Sequence, residues 1–198
     1  MRDEISRIIE KSRNTIIEGI CLNLVPLTYA DLENVVNLRN KNRNKYYLNQ
    51  TSDLNLDEQV KWYEAYLNRD NDIYWCVYNK EKQFIGAVRV YDIDPVADLC
   101  TQGSFIIDEE YAGGAPFAVE AEILSFDFIF DVLKLKGVIN EDRHDNKVMN
   151  NLSRKMGFKL KKKTIINEVE YNYYILNQED YLDNREKFIK ILNYWSER

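Results

Sequence analysis

Ile5, Ile8 and Ile9 fall at helical spacing, so residues 2–12 read as a short amphipathic helix. Residues 19–26, GICLNLVP, change to a strand pattern that Pro26 stops. Thr28 and Asp31 then stand at capping-box spacing. The segment ADLENVVNLRN that follows has Leu32, Val35, Val36 and Leu38 as a helical face. Residues 40–55 lose the periodicity. They are polar and Asn-rich, with Tyr46 and Tyr47 midway, and read as a loop long enough to be functional. Asn55 and Glu58 repeat the capping signal, and a helix over 56–68 puts Val60, Tyr63 and Leu67 on one side.

Three strands follow, at 73–78, 84–93 and 99–107. Residues 79–82 join the first two as a hairpin, and Asp94-Pro95 breaks the second. Gly113-Gly114 precedes a strongly apolar helix over about 116–133, and a strand over 137–140 comes next. A helix over 145–156 runs into Gly157, suited to the left-handed position past a helix end. Strands at 158–163 and 168–176 lead to a closing helix at 178–195, with Tyr181, Phe188, Ile191 and Leu192 inward. From residue 19 the order is β-α-α-β-β-β-α-β-α-β-β-α. Hairpin strands that then alternate with helices predict an α/β (α+β) fold, a mixed sheet covered by helices on both faces.

The 198 residues suit a single domain. Its core spans about 20–176, and the added helices at about 2–12 and 178–195 either cap the sheet or mediate a homodimer. A net charge of -6 argues against general affinity for nucleic acid. The one basic run, Lys159 to Lys163, reads as a lysine-guarded strand edge. Cys21, Cys76 and Cys100 lie in apolar, strand-like surroundings without C-x-x-C spacing, as expected of reduced thiols in a cytoplasmic protein. His144 is the only histidine, so no metal set is expected. The charged start of the chain does not read as a signal peptide, and no apolar run nears the ~20 residues that span a membrane.

Candidate chemistry gathers where the strand ending at Ile107 feeds residues 108–115 into a helix at Pro116. Unpaired first-turn N–H groups and the helix dipole make such a turn an anion site. Pro116 suits the first helical position, where no N–H is needed. Taken alone, Gly113-Gly114 reads first as a plain turn.

The spacing downstream adds to this. Asn146 is followed eleven residues later by Gly157-Phe158, and Glu120-Ala121 lies in the preceding helix. In this order and spacing the chain resembles the GNAT acetyltransferases over about residues 20–176. "LVPLTYADLENVVNLRN", "LDEQVKWYEAYL" and "FIGAVRVYDID" are similar to two branches, one acetylating amino sugars on nucleotide carriers and one acetylating ribosomal-protein N-termini. The resemblance implies acetyl-CoA as cosubstrate, held by Ile106, Ile107, Gly113, Gly114, Ala115, Phe117, Ala118 and Asn146. It implies a backbone N–H near Ile107 that polarises the thioester carbonyl. It also implies a splay between the strand ending at Ile107 and the strand beginning near Gly137, which admits the pantetheine arm.

The chain departs from the family pattern in three places. The pyrophosphate motif's leading Gln or Arg is absent, and Pro116 removes one amide from the cradle. Ser153 stands where many members place the tyrosine that protonates the departing thiolate, so it becomes the candidate acid, directly or through water. Gln102 stands where some relatives have an acidic base. Asp92 and Asp94 are the candidate bases on the neighbouring strand, although Asp94-Pro95 also reads as a strand-end turn. His144 is of suitable basicity but reads as loop polarity.

On the acceptor side the resemblance offers Arg39, Asn40, Tyr47, Asn49, Gln50, Trp62 and Tyr91, groups suited to a sugar. Arg39, Lys41, Arg43 and Lys45 add positive charge that favours a phosphorylated or nucleotide-linked amine. The expected activity is therefore N-acetylation of a small primary amine. The alternatives are a ribosomal-protein N-terminal acetyltransferase and a catalytically weak GNAT-fold module that binds an acyl-CoA or another ligand.

Overall fold

The computed structural model describes residues 2–111, 113 and 116–197. The described elements run α1 (Arg2–Ser12), β1 (Ile17–Glu18), β2 (Leu22–Pro26), α2 (Leu32–Asn40), α3 (Asn42–Tyr47), α4 (Leu56–Leu67), β3 (Ile73–Asn79), β4 (Phe84–Asp94) and β5 (Leu99–Ile107). They continue with α5 (Phe117–Asp127), β6 (Gly137–Arg143), α6 (Lys147–Met156), β7 (Lys159–Ile166), β8 (Val169–Asn177) and α7 (Gln178–Ser196). The strands form one sheet in the order β1-β2-β3-β4-β5-β6-β8-β7. All neighbours are antiparallel except β5 and β6.

Alternation along the strands sends side chains into two cores. Leu22, Leu24, Trp75, Val88 and Val90 face α1, α5 and α7, where they meet Ile5, Ile9, Phe126 and Tyr181. Tyr74, Cys76, Ala87 and Ile106 face α2 and α4 and meet Val35, Leu38, Tyr63 and Tyr66. This is the expected mixed sheet with helices on both faces. Both capping signals act as expected: Thr28 N–H donates to Asp31 at 2.9 Å, and Glu58 N–H donates to Asn55 at 2.9 Å.

The terminal helices are fastened to the sheet. Arg13, just past α1, donates to the carbonyls of Tyr66, Leu67, Arg69 and Asp72 at the end of α4. In α7, Arg185 forms a two-pronged pair with Asp127, and the Tyr181 hydroxyl donates to the same carboxylate at 2.7 Å. Glu120 is buried in α5, and its carboxylate accepts the amides of Ile20, Cys21 and Leu22. The Glu-Ala of the family pattern here joins α5 to β2. The lysines of β7 lie on an edge strand, where Lys159 pairs with Asp180 and Lys163 with Glu170.

Four expectations change. The loop expected over 40–55 contains α3, which has no apolar stripe and is held by contacts to β5 and β6 described below. The helix expected to about 133 is α-helical only to Asp127 and passes through a π turn at Phe128–Val132. β6 runs three residues past Asn140, because Glu141, Asp142 and Arg143 continue the ladder against Asn172 and Tyr171 of β8. Ile191 is 43% exposed. The inward stripe of α7 runs through buried Tyr181 and Leu192 and half-buried Arg185 and Phe188, which leaves residue 191 off the seam.

Candidate active site

β5 and β6 pair in parallel only at Leu99–Gly137, Cys100–Val138 and Thr101–Ile139, then diverge. The cause lies in β5. Its register against β4 steps from Arg89–Gly103 to Ala87–Ile106, so one extra residue sits on β5, and Ser104 there has φ 48°. Such a bulge bends its strand and leaves backbone groups unpaired. Gly103 precedes the bulge because the Tyr91 ring lies where a side chain would go, 3.0 Å from an added Cβ. Beyond the bulge, Asp108 N–H donates to Ile85 C=O at 2.8 Å. Antiparallel alternation then directs the backbone of Ile107 away from β4, toward the open splay.

Two cavities occupy the splay. The upper, of about 120 Å³, lies between Phe105, Ile106 and Ile107 of β5, Ala118 of α5, Asn146, Met149 and Leu152 of the α6 side, and Arg43 and Tyr47 of α3. The lower, of about 90 Å³, runs between residues 102–105 of β5 and 140–143 of β6. α3 roofs both. Lys41 before it pairs with Asp108 and Glu110 past the end of β5. On the other side, the Tyr46 hydroxyl donates to Asp145 at 2.5 Å, and Arg143 of β6 stacks 3.9 Å over the Tyr46 ring.

The sequence-derived cosubstrate residues divide unevenly. Ile106, Ile107, Ala118 and Asn146 line the upper cavity. Phe117 begins α5, whose N-terminus at Pro116 has no side-chain cap. The bond from Glu120 N–H to Pro116 C=O, at 3.0 Å, leaves the amides of Phe117 and Ala118 ahead of it. Gly113 is exposed, and a Cβ there would meet nothing within 4 Å. Gly114 and Ala115 lie outside the described residues. Asn146 caps α6 by accepting Met149 N–H at 3.2 Å, and Gly157 ends the helix at φ 104°.

The proposed catalytic side chains are placed differently from expectation. Asp94 accepts the amides of Val96 and Ala97, forming the turn that its place before Pro95 allowed, at the closed end of the splay. Asp92 is exposed on a second bulge with φ 50°. Neither lines the cavities of the splay. Ser153 is buried at 2% exposure and donates to Asp142 Oδ2 at 2.6 Å instead of facing the cavity. Gln102 donates to Glu122 at 2.9 Å and to Ser125 at 2.7 Å. His144 is exposed and turned to the Glu170 carbonyl.

Two carboxylates of β6 that the sequence reading passed over border the lower cavity: Glu141 and Asp142. The strand expected from the sequence stops at Asn140, just short of them. As consecutive strand residues they point to opposite faces. Glu141 is exposed, on the side where its charge is felt by Tyr91. Asp142 is buried against α6, and burial pushes its carboxyl up to about 6 against the opposing pull of Ser153 and Arg154. Deeper in, burial pushes Glu122 up to about 8.

On the α2–α4 face a recess of about 190 Å³ opens between Arg39, Glu58, Gln59, Trp62, Tyr74, Arg89 and Ser104. Arg89 is paired with Asp72, through contacts of 2.8 and 2.5 Å, shares that carboxylate with Arg69, and packs over Trp62 and Tyr91. Arg39 reaches Ser104 of the bulge at 3.4 Å and has no carboxylate partner among the described residues. Its Nε has no hydrogen-bond partner there, and the hydroxyl of buried Tyr74 lies beside the Arg39 guanidinium. Other predicted acceptor residues serve the fold. Asn40 binds Leu54 and Gln50, and Gln50 also donates to Ser52 C=O. Asn49 sits at φ 51° just past α3. Lys41 and Lys45 are paired with carboxylates, so of the four cations only Arg39 lines the recess. Arg43 stands beside the upper cavity instead.

A strand pair splayed beyond a bulge, with an open helix N-terminus above it, defines an acyl-carrier cleft. The chain belongs to the GNAT acetyltransferase family, whose domain model matches residues 22–159. The family's cosubstrate is acetyl-CoA. No curated protein sequence matches the chain. Among solved structures it is similar to spermidine N-acetyltransferase from Vibrio cholerae in complex with CoA and spermine, at TM-score 0.76 and 22% identity over 83% of this chain and 99% of that one. It is similar to a GCN5-related N-acetyltransferase from Brucella melitensis, at TM-score 0.75 and 17% identity over 90% and 85%. It is also similar to FdhC, a nucleotide-linked sugar GNAT, at TM-score 0.73 and 22% identity over 90% and 98%. Among the described residues no group of acidic, His and Cys side chains is placed to hold a metal, and no helix is long and apolar enough to cross a membrane.

Proposed function

We propose that this protein transfers acetyl from acetyl-CoA to the primary amine of a small, anionic acceptor, a nucleotide-linked amino sugar being the class the recess suits. The carrying observation is Arg39, a guanidinium without a carboxylate partner, bordering the acceptor recess beside the bulge. A polycation would be repelled there, since Glu58 is the only carboxylate among the described residues that line the recess, beside Arg39 and Arg89. A phosphate matches Arg39, which stands at the recess without a carboxylate partner among the described residues.

Acetyl-CoA fits the residues present. The amides of Phe117 and Ala118 face a phosphate with a helix N-terminus behind them. Arg43 stands at the same cavity, 4.0 Å from the exposed Glu109, and adds a guanidinium where the loop's leading Gln or Arg is missing. The open backbone at Ile107 and the bulge amides hold the arm and polarise the thioester carbonyl. Holding amine and thioester together is the largest service such a site performs. Glu141, on the acceptor side of β6, takes the proton from the incoming ammonium, directly or through water.

The test is release of CoA thiol with acetyl-CoA and three amines: a nucleotide-linked amino sugar, spermidine and a ribosomal-protein N-terminal peptide. Preferential turnover of the sugar is the expected result. Preference for spermidine or the peptide overturns the acceptor class. Binding of acetyl-CoA without turnover of any amine moves the protein to a ligand-binding role.

A further inference from the structure

We propose that Asp142 donates the proton taken up by the sulfur that leaves during acetyl transfer, with Ser153 as the residue that positions it. The proposal rests on the acetyltransferase reading above. Asp142 lies three residues past Ile139, the last β6 partner of β5, and Ser104 lies three past Thr101. The carboxyl and the bulge therefore stand at the same height on the two walls of the splay. Asp142 Oδ2 accepts the Ser153 hydroxyl at 2.6 Å. No described residue donates to Oδ1, and Asp142 is among the residues that line the cavity between the strands.

Ser153 occupies the place of the family's tyrosine, but its hydroxyl is short, buried and already turned to Asp142. The acidic function has moved one group along. The groups facing Asp142 are Ser153 and Arg154 from α6, Glu122 from α5 and Tyr174 from β8, while Gln102 of β5 is turned to Glu122. Ser153 and Arg154 favour the carboxylate, and burial outweighs them, so the carboxyl keeps its proton above the usual aspartate range. Filling the cleft with the pantetheine arm removes more water and strengthens that effect. Glu141, next in the chain and on the opposite face, stays in water. Two adjacent carboxyls in unlike environments suit opposite proton transfers.

The step balances as follows. The ammonium gives one proton to Glu141 or water before attack. The C–N bond forms and the C–S bond breaks. The nitrogen sheds a second proton to solvent, the sulfur takes one from Asp142, and solvent returns one to Asp142. One proton is released per amide and thiol formed.

The test compares Asp142→Asn and Ser153→Ala with wild type, using acetyl-CoA and the amine the enzyme turns over fastest among the three above. Asp142→Asn is isosteric and should keep acetyl-CoA affinity, read by calorimetry, within about twofold. It should lose about 100-fold in kcat together with the alkaline limb of the kcat–pH profile. Ser153→Ala removes a hydrogen bond that favours the carboxylate, so its alkaline limb should move to higher pH with a smaller loss of kcat. Asp142→Asn with wild-type kcat and pH profile overturns the proposal. Loss of the limb in Ser153→Ala but not in Asp142→Asn assigns the acid to the serine and overturns it too. Absence of turnover in the wild type removes the reaction itself, a different result from a normal Asp142→Asn.

Discussion

The two halves of the cleft are built by different means. The β5–α5–α6 half presents backbone: a bulge, an open strand edge and an uncapped helix N-terminus, lined mostly by apolar side chains. The α2–α4 half presents side chains: Arg39, Trp62, Tyr74 and Arg89 around a polar recess. Backbone donors survive many side-chain changes, which suits a ligand shared by a whole family. Side-chain donors can be exchanged one at a time, which suits an acceptor that differs between members.

Ala118→Glu tests this contrast with the largest expected effect. A carboxylate in the first turn of α5 is favourable to the helix, so folding should be retained. The same charge faces the cavity assigned to the phosphates and should weaken acetyl-CoA binding by about 100-fold or more, read by calorimetry. Unchanged affinity would move the cosubstrate out of the upper cavity. Next in size, Arg39→Gln should raise the acceptor KM by roughly ten- to hundredfold, the range for a hydrogen bond to a charged group. The acetyl-CoA KM should stay where it is. A rise in both would end the division between the halves.

The same division explains what the sequence revealed. The family resemblance points to Ile107, Ala118 and Asn146, and all three line the upper cavity, as expected where backbone-built sites follow element order. Side-chain sites depend on which face each residue takes and on its partners. Asp94 is held by its own turn, Ser153 by Asp142, and Asn40 by residues 50 and 54. The turn at Asp94 is legible from the proline after it, but the attachments of Ser153 and Asn40 do not follow from spacing. Glu141 and Asp142 were hidden because three consecutive charged residues do not look like strand. Only their pairing with the tyrosine-rich β8 holds them in the ladder. α3 was hidden for the related reason that it packs through Tyr46 and Tyr47 rather than through an apolar stripe.

Beneath the backbone-built half lies Glu122, which sharpens the comparison through pH. Below its ordinary 4.5 the carboxyl is protonated whether the chain is folded or not. Between there and about 8 the unfolded chain ionises while the folded protein keeps its proton, so stability falls as pH rises through that window. Glu122→Gln keeps a neutral acceptor for Gln102 and removes the loss. Its melting temperature should exceed that of wild type by roughly 4 °C at alkaline pH and by little near pH 4. A residual slope should remain, because Asp142 titrates in the same direction. A variant less stable than wild type at every pH would mean that the ionised form of Glu122 stabilises the core.

The smallest effect belongs to α3, which borders both halves. Tyr46→Phe removes the hydroxyl bond to Asp145 but keeps the ring under Arg143. The bond is exposed and screened by water, so the stability change should be small, read from a urea midpoint. Tyr47 and Leu48, just beyond, line both cavities of the splay, and the stretch from α3 to residue 54 leads on to the acceptor recess. Loosening the roof should therefore raise the KM for acetyl-CoA and for the acceptor together, each by about two- to threefold, in proportion to the energy lost. Arg39→Gln moves one KM and Ala118→Glu the other. A Tyr46→Phe enzyme that moved only the acceptor KM would assign α3 to the side-chain half alone, and the lower cavity would then be closed by β5 and β6 without it.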